Sequence, residues 1–295
     1  MKNLKIILLL MVLFNWNHFY GQGCSDAGFC TLENFQVQSN DSLDYKNSFK
    51  IGVNLGSADN DVSVFGSYLE YNRKLSKIVD IDVKLNYLSQ SISGFSSSAL
   101  SDAYLVSNFK INPKTKASLG FKIPLTNGNL KDNGIALPMD FQPSLGTFDL
   151  ILGLSRAYNN LSFALAVQQP LSQNENQFLA PLGSGYFSTN NYKRAGDVLF
   201  RATYLYKIND KWSLSPSLLP IYHLANDKFT DAANIEREIN GSSGLTLNGN
   251  AYLNYQVNTR SSLELSLGMP LVVRDARPDG LTRGFVANLE YKIKF

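Results

Sequence analysis

Few side chains in this chain could carry covalent chemistry. His223 is the one histidine beyond residue 18, and a hydrolytic site would need a nucleophile beside it and a third group to orient its ring. Serines such as Ser217 lie near it in sequence, but no accompanying pattern names nucleophile, base and orienting group together, so no catalytic residue is assigned. Cys24 and Cys30, the only cysteines, sit in the segment GCSDAGFC. Two close thiols in an oxidising compartment point to one small disulfide loop. Lipidation of Cys24 is the competing reading, with Gly21 and Gln22 in place of a lipoprotein box. A metal site would need further ligands, and the segment has no histidine. What remains is charge: Lys50, Asp82, Lys84, Lys110, Lys122, Asp149, Arg201, Glu264, Glu290 and Lys292 all occupy one parity of alternating runs. Acids and bases on one wall can pair with each other or act on a passing solute.

The elements that position these charges are strands. From Leu245 the odd positions read Leu245, Leu247, Gly249, Ala251, Leu253, Tyr255 and Val257, against Thr246, Asn248, Asn250, Tyr252, Asn254 and Gln256. The closing run sets Phe285, Ala287, Leu289, Tyr291, Ile293 and Phe295 against Asn288, Glu290, Lys292 and Lys294. Period two is the strand period. An apolar face suited to lipid backed by a face suited to water is the pattern of a transmembrane antiparallel up-and-down β-barrel. Phe285, Leu289, Tyr291 and Phe295 form a C-terminal aromatic signal of the kind that barrel-assembly machinery would read during insertion.

Alternation and turn residues predict about twelve strands, at 46–57, 62–74, 79–91, 102–111, 116–124, 147–157, 161–170, 196–208, 212–224, 244–257, 261–270 and 282–295. Connections alternate in length. Ser76-Lys77, Asn112-Pro113-Lys114, Asn159-Asn160, Asn209-Asp210-Lys211 and Asn258-Thr259-Arg260 are tight polar turns. Longer loops are expected at 92–101, 125–146, 171–195, 225–243 and 271–281, with 58–61 the single short exception. Short turns would face the periplasm and long loops the exterior. Pro124, Pro170, Pro220 and Pro270 mark where rising strands leave the sheet. Phe109, Tyr158, Tyr206, Trp212, Tyr255 and Tyr291 fall near the short turns or the C-terminus, as an interfacial girdle would. Asp227 to Glu238 could form a short helix. Arg274, Asp275, Arg277 and Asp279 would be solvated, touch lipopolysaccharide or shape the pore mouth.

Residues 1–21 read as an export signal: Lys2 and Lys5, an apolar run from Ile6 to Phe14, and Gly21 before the expected cleavage. Residues 22–45 would be a periplasmic segment and 46–295 the barrel. Losing Lys2 and Lys5 leaves 25 of the 27 basic residues against 24 acidic ones, which gives nucleic acid no reason to bind. No later stretch is long enough for a membrane helix.

The segment 119–155 contains LGFKIPLTNGN and GIALPMDFQPSLGTFDLILGLS. With Leu145, Gly146 and Asp149 opening a central strand, it resembles the outer-membrane barrel family associated with a meta-cleavage pathway of phenol degradation. The resemblance implies transport of aromatic or apolar compounds and brings no catalytic motif.

These readings converge on a cell-outer-membrane channel, without cofactor, passing small apolar or aromatic solutes by diffusion, with outer-membrane lipid and the solute as partners. One alternative is a structural or surface-binding barrel acting through its loops. The remote one is an outer-membrane phospholipase built on His223.

Overall fold

A computed structural model describes residues 45–280 and 283–295; the proposed signal, the Cys24–Cys30 pair and most of the segment 22–45 lie outside them. Twelve antiparallel strands close into one barrel. They are β1 Asn47–Ala58, β2 Ser63–Lys74, β3 Val79–Ile92, β4 Phe95–Asn112, β5 Thr115–Pro124, β6 Asp149–Tyr158, β7 Leu161–Pro170, β8 Asp197–Tyr204, β9 Trp212–His223, β10 Gly244–Gln256, β11 Ser261–Val272 and β12 Arg283–Lys294. Each pairs with its neighbours in sequence, and β12 returns to β1. Full closure leaves no unpaired edge, which a wall immersed in hydrocarbon requires.

The wall is inside-out relative to a soluble protein. In β1, Lys50 is 2% exposed and Ile51 next to it 47%. The same inversion runs round the barrel: Leu152 and Leu154 point out on β6, Leu165 on β7, Leu265 on β11 and Leu289 on β12. Water would not tolerate this apolar belt, whereas hydrocarbon dissolves it. Phe109, Tyr158, Tyr206, Trp212 and Tyr291 are exposed at the short-turn end. There the Trp212 and Tyr255 rings, cross-strand partners, lie 4.6 Å apart.

Two expectations about the chain are corrected. The long loop anticipated at 92–101 is strand, because β3 and β4 form a hairpin that turns at Ser93-Gly94, with Ile92 opposite Phe95 and Gly94 at φ +79°. Serines on both faces, at 89, 91, 96, 97 and 98, erase the alternation there, yet the backbone ladder needs none. The helix anticipated within 227–238 is a small hairpin pairing Lys228–Thr230 with Glu236–Glu238. The Asp231 carboxylate accepts the Ala233 and Ile235 amides, and Asn234 takes φ 64°, so the chain reverses before a helical turn can close.

The weakest seam joins β8 to β9. Phe200 and Arg201, across from Pro220 and Leu219, have no registered partner on β9, and pairing lapses again opposite Pro216 before resuming at Tyr206 and Lys207. Proline donates nothing to a ladder. A groove of about 600 Å³ in the outer wall runs past this seam, with Tyr204, Pro216, Leu218, Gly249 and Met269 among its lining.

Candidate functional site

Alternation carries one residue in two to the inner wall, and the charges singled out in the sequence occupy three places there. The first is a belt on β1, β2, β3 and β12. Lys50 Nζ lies 3.4 Å from Glu70 Oε1 and 3.6 Å from Glu290 Oε1. Tyr68 Oη donates to Glu290 Oε2 at 2.6 Å while the Lys84 ammonium stands 3.9 Å from the Tyr68 ring centre. The Tyr68 side chain has room only because its cross-strand partner is Gly52, where a Cβ would lie 2.2 Å from the tyrosine Cζ. Asp82, and Asp80 beside it, accept from the amides of Asn72 and Asn108, the shortest contacts being 2.6 Å.

The second place is the top of β5 and β6. Lys122 Nζ is 2.9 Å from Asp149 Oδ2, which also accepts from Gln168 Nε2 at 2.6 Å; both charged side chains are fully buried. The third comprises Lys110, Arg201, Glu264 and Lys292, inward by register: Arg201 lies beside Ala164, Glu264 beside Glu290, Lys292 beside Lys50 and Lys110 beside Lys116.

An apolar collar occupies the inner wall of the other half of the barrel. Tyr104 and Val106 of β4, Ile151 of β6, Ala164 and Ala166 of β7, Leu199 of β8, and Leu219 and Ile221 of β9 form one buried cluster. The apolar cluster is confined to β4 through β9, where it shares the inner wall with Lys122, Asp149 and Arg201, while the inner wall of β10 through β3 is mainly polar.

Sequence reasoning missed the closure of the long-loop end. Met139, Leu145, Tyr192, Ile239 and Ala276, from four different loops, share one apolar cluster. Gln90 Nε2 donates to the Gln142 carbonyl at 2.8 Å, and Ser144 Oγ to Asp102 Oδ1 at 2.6 Å, which ties the loop 125–148 across the mouth. Beneath these loops His223 is clamped, Nδ1 2.6 Å from Asp197 Oδ1 and Nε2 2.8 Å from Asp227 Oδ1. Arg194 pairs with Asp197 at 2.5 Å and lies 3.6 Å from Asp279, whose Oδ2 is also 2.9 Å from Arg274. Arg274 and Asp279 are therefore buried mouth residues and not a solvated loop. Burial opposes charge on Asp279, but the Arg274 and Arg194 guanidinium groups hold its carboxyl below the usual range. Burial, with Asp227 beside it, pushes the Tyr192 hydroxyl well up. Only the density of opposite charges in loops that meet in space could have flagged this network, and sequence separation hid it.

His223 has both ring nitrogens engaged by carboxylates, so neither is free to serve as a general base toward lipid. Among the described residues no group of three or more His, Cys, Asp or Glu side chains could hold a metal ion.

No protein-family model matches the chain, and no curated protein does. The phenol-degradation resemblance of 119–155 is not confirmed by these comparisons. Among solved structures, the chain is similar to an outer membrane channel, COG4313, from Pseudomonas putida F1, with TM-score 0.58 and 12% identity, covering 88% of this chain and 100% of that one. It is also similar to the CymD monoaromatic hydrocarbon channel, with TM-score 0.48 and 9% identity over 94% and 98% of the two chains. For the KdgM porin the values are 0.45 and 9% over 84% and 99%. At such identities the likeness to the Pseudomonas channel establishes the barrel fold.

Proposed function

We propose that the protein is an outer-membrane channel through which small apolar or aromatic solutes diffuse. The observation that carries this is the pairing of a lipid-suited exterior with an interior built from a charged belt and an apolar collar, a lining that a purely structural wall does not need. Lys50, Asp82, Lys84, Lys110, Lys122, Asp149, Arg201, Glu264, Glu290 and Lys292 line the route, and Phe285, Leu289, Tyr291 and Phe295 serve its assembly. Outer-membrane lipid surrounds it, barrel-assembly machinery inserts it, and no nucleic acid or cofactor takes part. Refolded protein in planar bilayers and liposomes tests the reading: discrete conductance steps and solute-dependent uptake are expected, and silence in both for every solute overturns it.

The buried network that draws four loops together favours a second reading, a barrel that works through its outer surface. Deleting 171–195 would then abolish partner binding and leave permeability unchanged; raised permeability with no binding change excludes it.

A further inference from the structure

The two ends of the barrel dispose their charges differently. Round the short-turn end, Lys77, Lys114, Lys211 and Arg260 stand in four of the five turns, and Arg156 lies just before the fifth. Arg73 and Lys207 flank two of these turns, and Lys46 precedes β1 where the Asn47 and Phe295 backbones close the last seam. All eight of these side chains are exposed, and the one exposed acid among them is Asp210. The other acids nearest this end, Glu70, Asp80, Asp82, Glu264 and Glu290, point into the barrel by register. None of the eight bases forms an ion pair within the described residues. At the long-loop end, by contrast, Lys193 and Lys228 share Glu236, Arg237 pairs with Asp231, and Arg277 pairs with Asp59.

The five turns and the closing seam each carry exposed positive charge, so the charge forms a ring and not a patch. A folded protein docking on that end would meet one arc of it, whereas the headgroup layer of a bilayer meets all of it at once. Depth agrees, because Tyr158, Trp212 and Tyr255 belong to the girdle at this level, where aromatic rings sit among headgroups. Direction agrees as well. Arg156 lies on the lipid face with Leu152 and Leu154, across from Phe163, and Arg73 shares the outward face of β2 with Leu69, across from Ile81. A merely solvated charge gains nothing by pointing at hydrocarbon. A guanidinium there reaches along its own stem to phosphate oxygens, which it can hold with two parallel N–H groups.

We propose that the short-turn rim is a binding ring for anionic phospholipid, which holds lipids such as phosphatidylglycerol by their phosphate and their net negative charge. A zwitterionic lipid brings the same phosphate beside its own cation and is held less. This goes beyond the channel reading and needs from it only that the barrel spans a membrane. Attraction to a negative leaflet adds up over the basic groups near its surface and falls off over about 8 Å at physiological ionic strength.

The test uses the full chain refolded into phosphatidylcholine bilayers containing a minority of phosphatidylglycerol, with spin-labelled forms of both lipids reporting the shell immobilised on the wall. At low salt phosphatidylglycerol is expected in that shell several-fold above its share of the bilayer, an excess that shrinks in high salt. Arg73→Gln/Arg156→Gln should lower the excess, and adding Lys77→Gln, Lys114→Gln and Lys211→Gln should bring it near parity. Lys131→Gln, at the other end, should leave it unchanged. Equal immobilisation of the two lipids by wild-type protein at low salt overturns the proposal, as does an excess that the rim substitutions do not move. Retention of soluble polyglutamate without any lipid preference would assign the ring to an acidic macromolecule and overturns it too. A barrel that enriches phosphatidylglycerol yet stays silent in planar bilayers sinks the channel reading alone. The wild-type shell decides even if the multiple variant fails to fold.

Discussion

Asp227 reaches back one turn of chain to place Oδ1 2.8 Å from His223 Nε2, at the lip of β9, while Tyr192 Oη donates to its other oxygen at 2.7 Å. An imidazole with a carboxylate oxygen at each nitrogen donates to both only as the cation. His223 therefore acts as the positive centre between Asp197 and Asp227, and its loss leaves two buried carboxylates facing one another.

His223→Ala is expected to cost about 3–5 kcal/mol of the order at the mouth, the usual penalty for removing one partner from a buried ion pair. Limited proteolysis should show cleavage within 171–195 and 225–243, with the barrel core intact. Protection equal to wild type would show that the clamp does not hold the loops.

Asp140 lies half-buried in the loop over the mouth, and burial, with the charges of Asp59 and Asp279 behind it, raises its pKa from an ordinary 3.8 to about 7. The sign follows from linkage: a carboxyl raised in the folded loop favours that fold fully below pH 4, and the contribution is lost as pH rises through about 7. With the intrinsic pH dependence of amide exchange divided out, protection factors in the loop 125–148 should be higher at pH 5.5 than at pH 8, and Asp140→Asn should remove the difference. A wild-type loop with the opposite trend contradicts the assignment.

Lys122 and Asp149 are fully buried against each other. Lys122→Met is expected to destabilise the barrel by about 3–5 kcal/mol, while Lys122→Met with Asp149→Leu should recover most of that loss, because the charge left stranded is gone. Unfolding midpoints in a denaturant series on detergent-solubilised protein give the comparison. Equal losses in single and double variants would place the cost in packing instead.

Period two in the sequence was enough to read the wall. Leu245 to Val257 and Phe285 to Phe295 alternate so cleanly that strand type, face and neighbours followed, and Asn-rich turns such as Asn258-Thr259-Arg260 fixed where the strands reverse. Serine at 89, 91, 96, 97 and 98 suits either face, so the β3–β4 hairpin left no hydrophobic trace beyond Gly94. The inward charges were legible by parity, but their partners were not. Lys50 finds Glu290 across the closing seam, 240 residues along the chain, and Arg194 finds Asp279 only because two loops fold to the same spot. Local pattern specifies which way a side chain points; the identity of what it meets depends on closure.

The prolines of β9 set where this cylinder would come apart. Pro216 and Pro220 leave the β8–β9 joint with gaps, whereas β1 and β12, the first and last staves, are zipped along nearly their whole length. Force or heat should therefore split the staves at the middle of the second half of the chain and leave the two terminal staves still joined, so the unravelling sheet would keep its ends fastened together while its interior seam gapes.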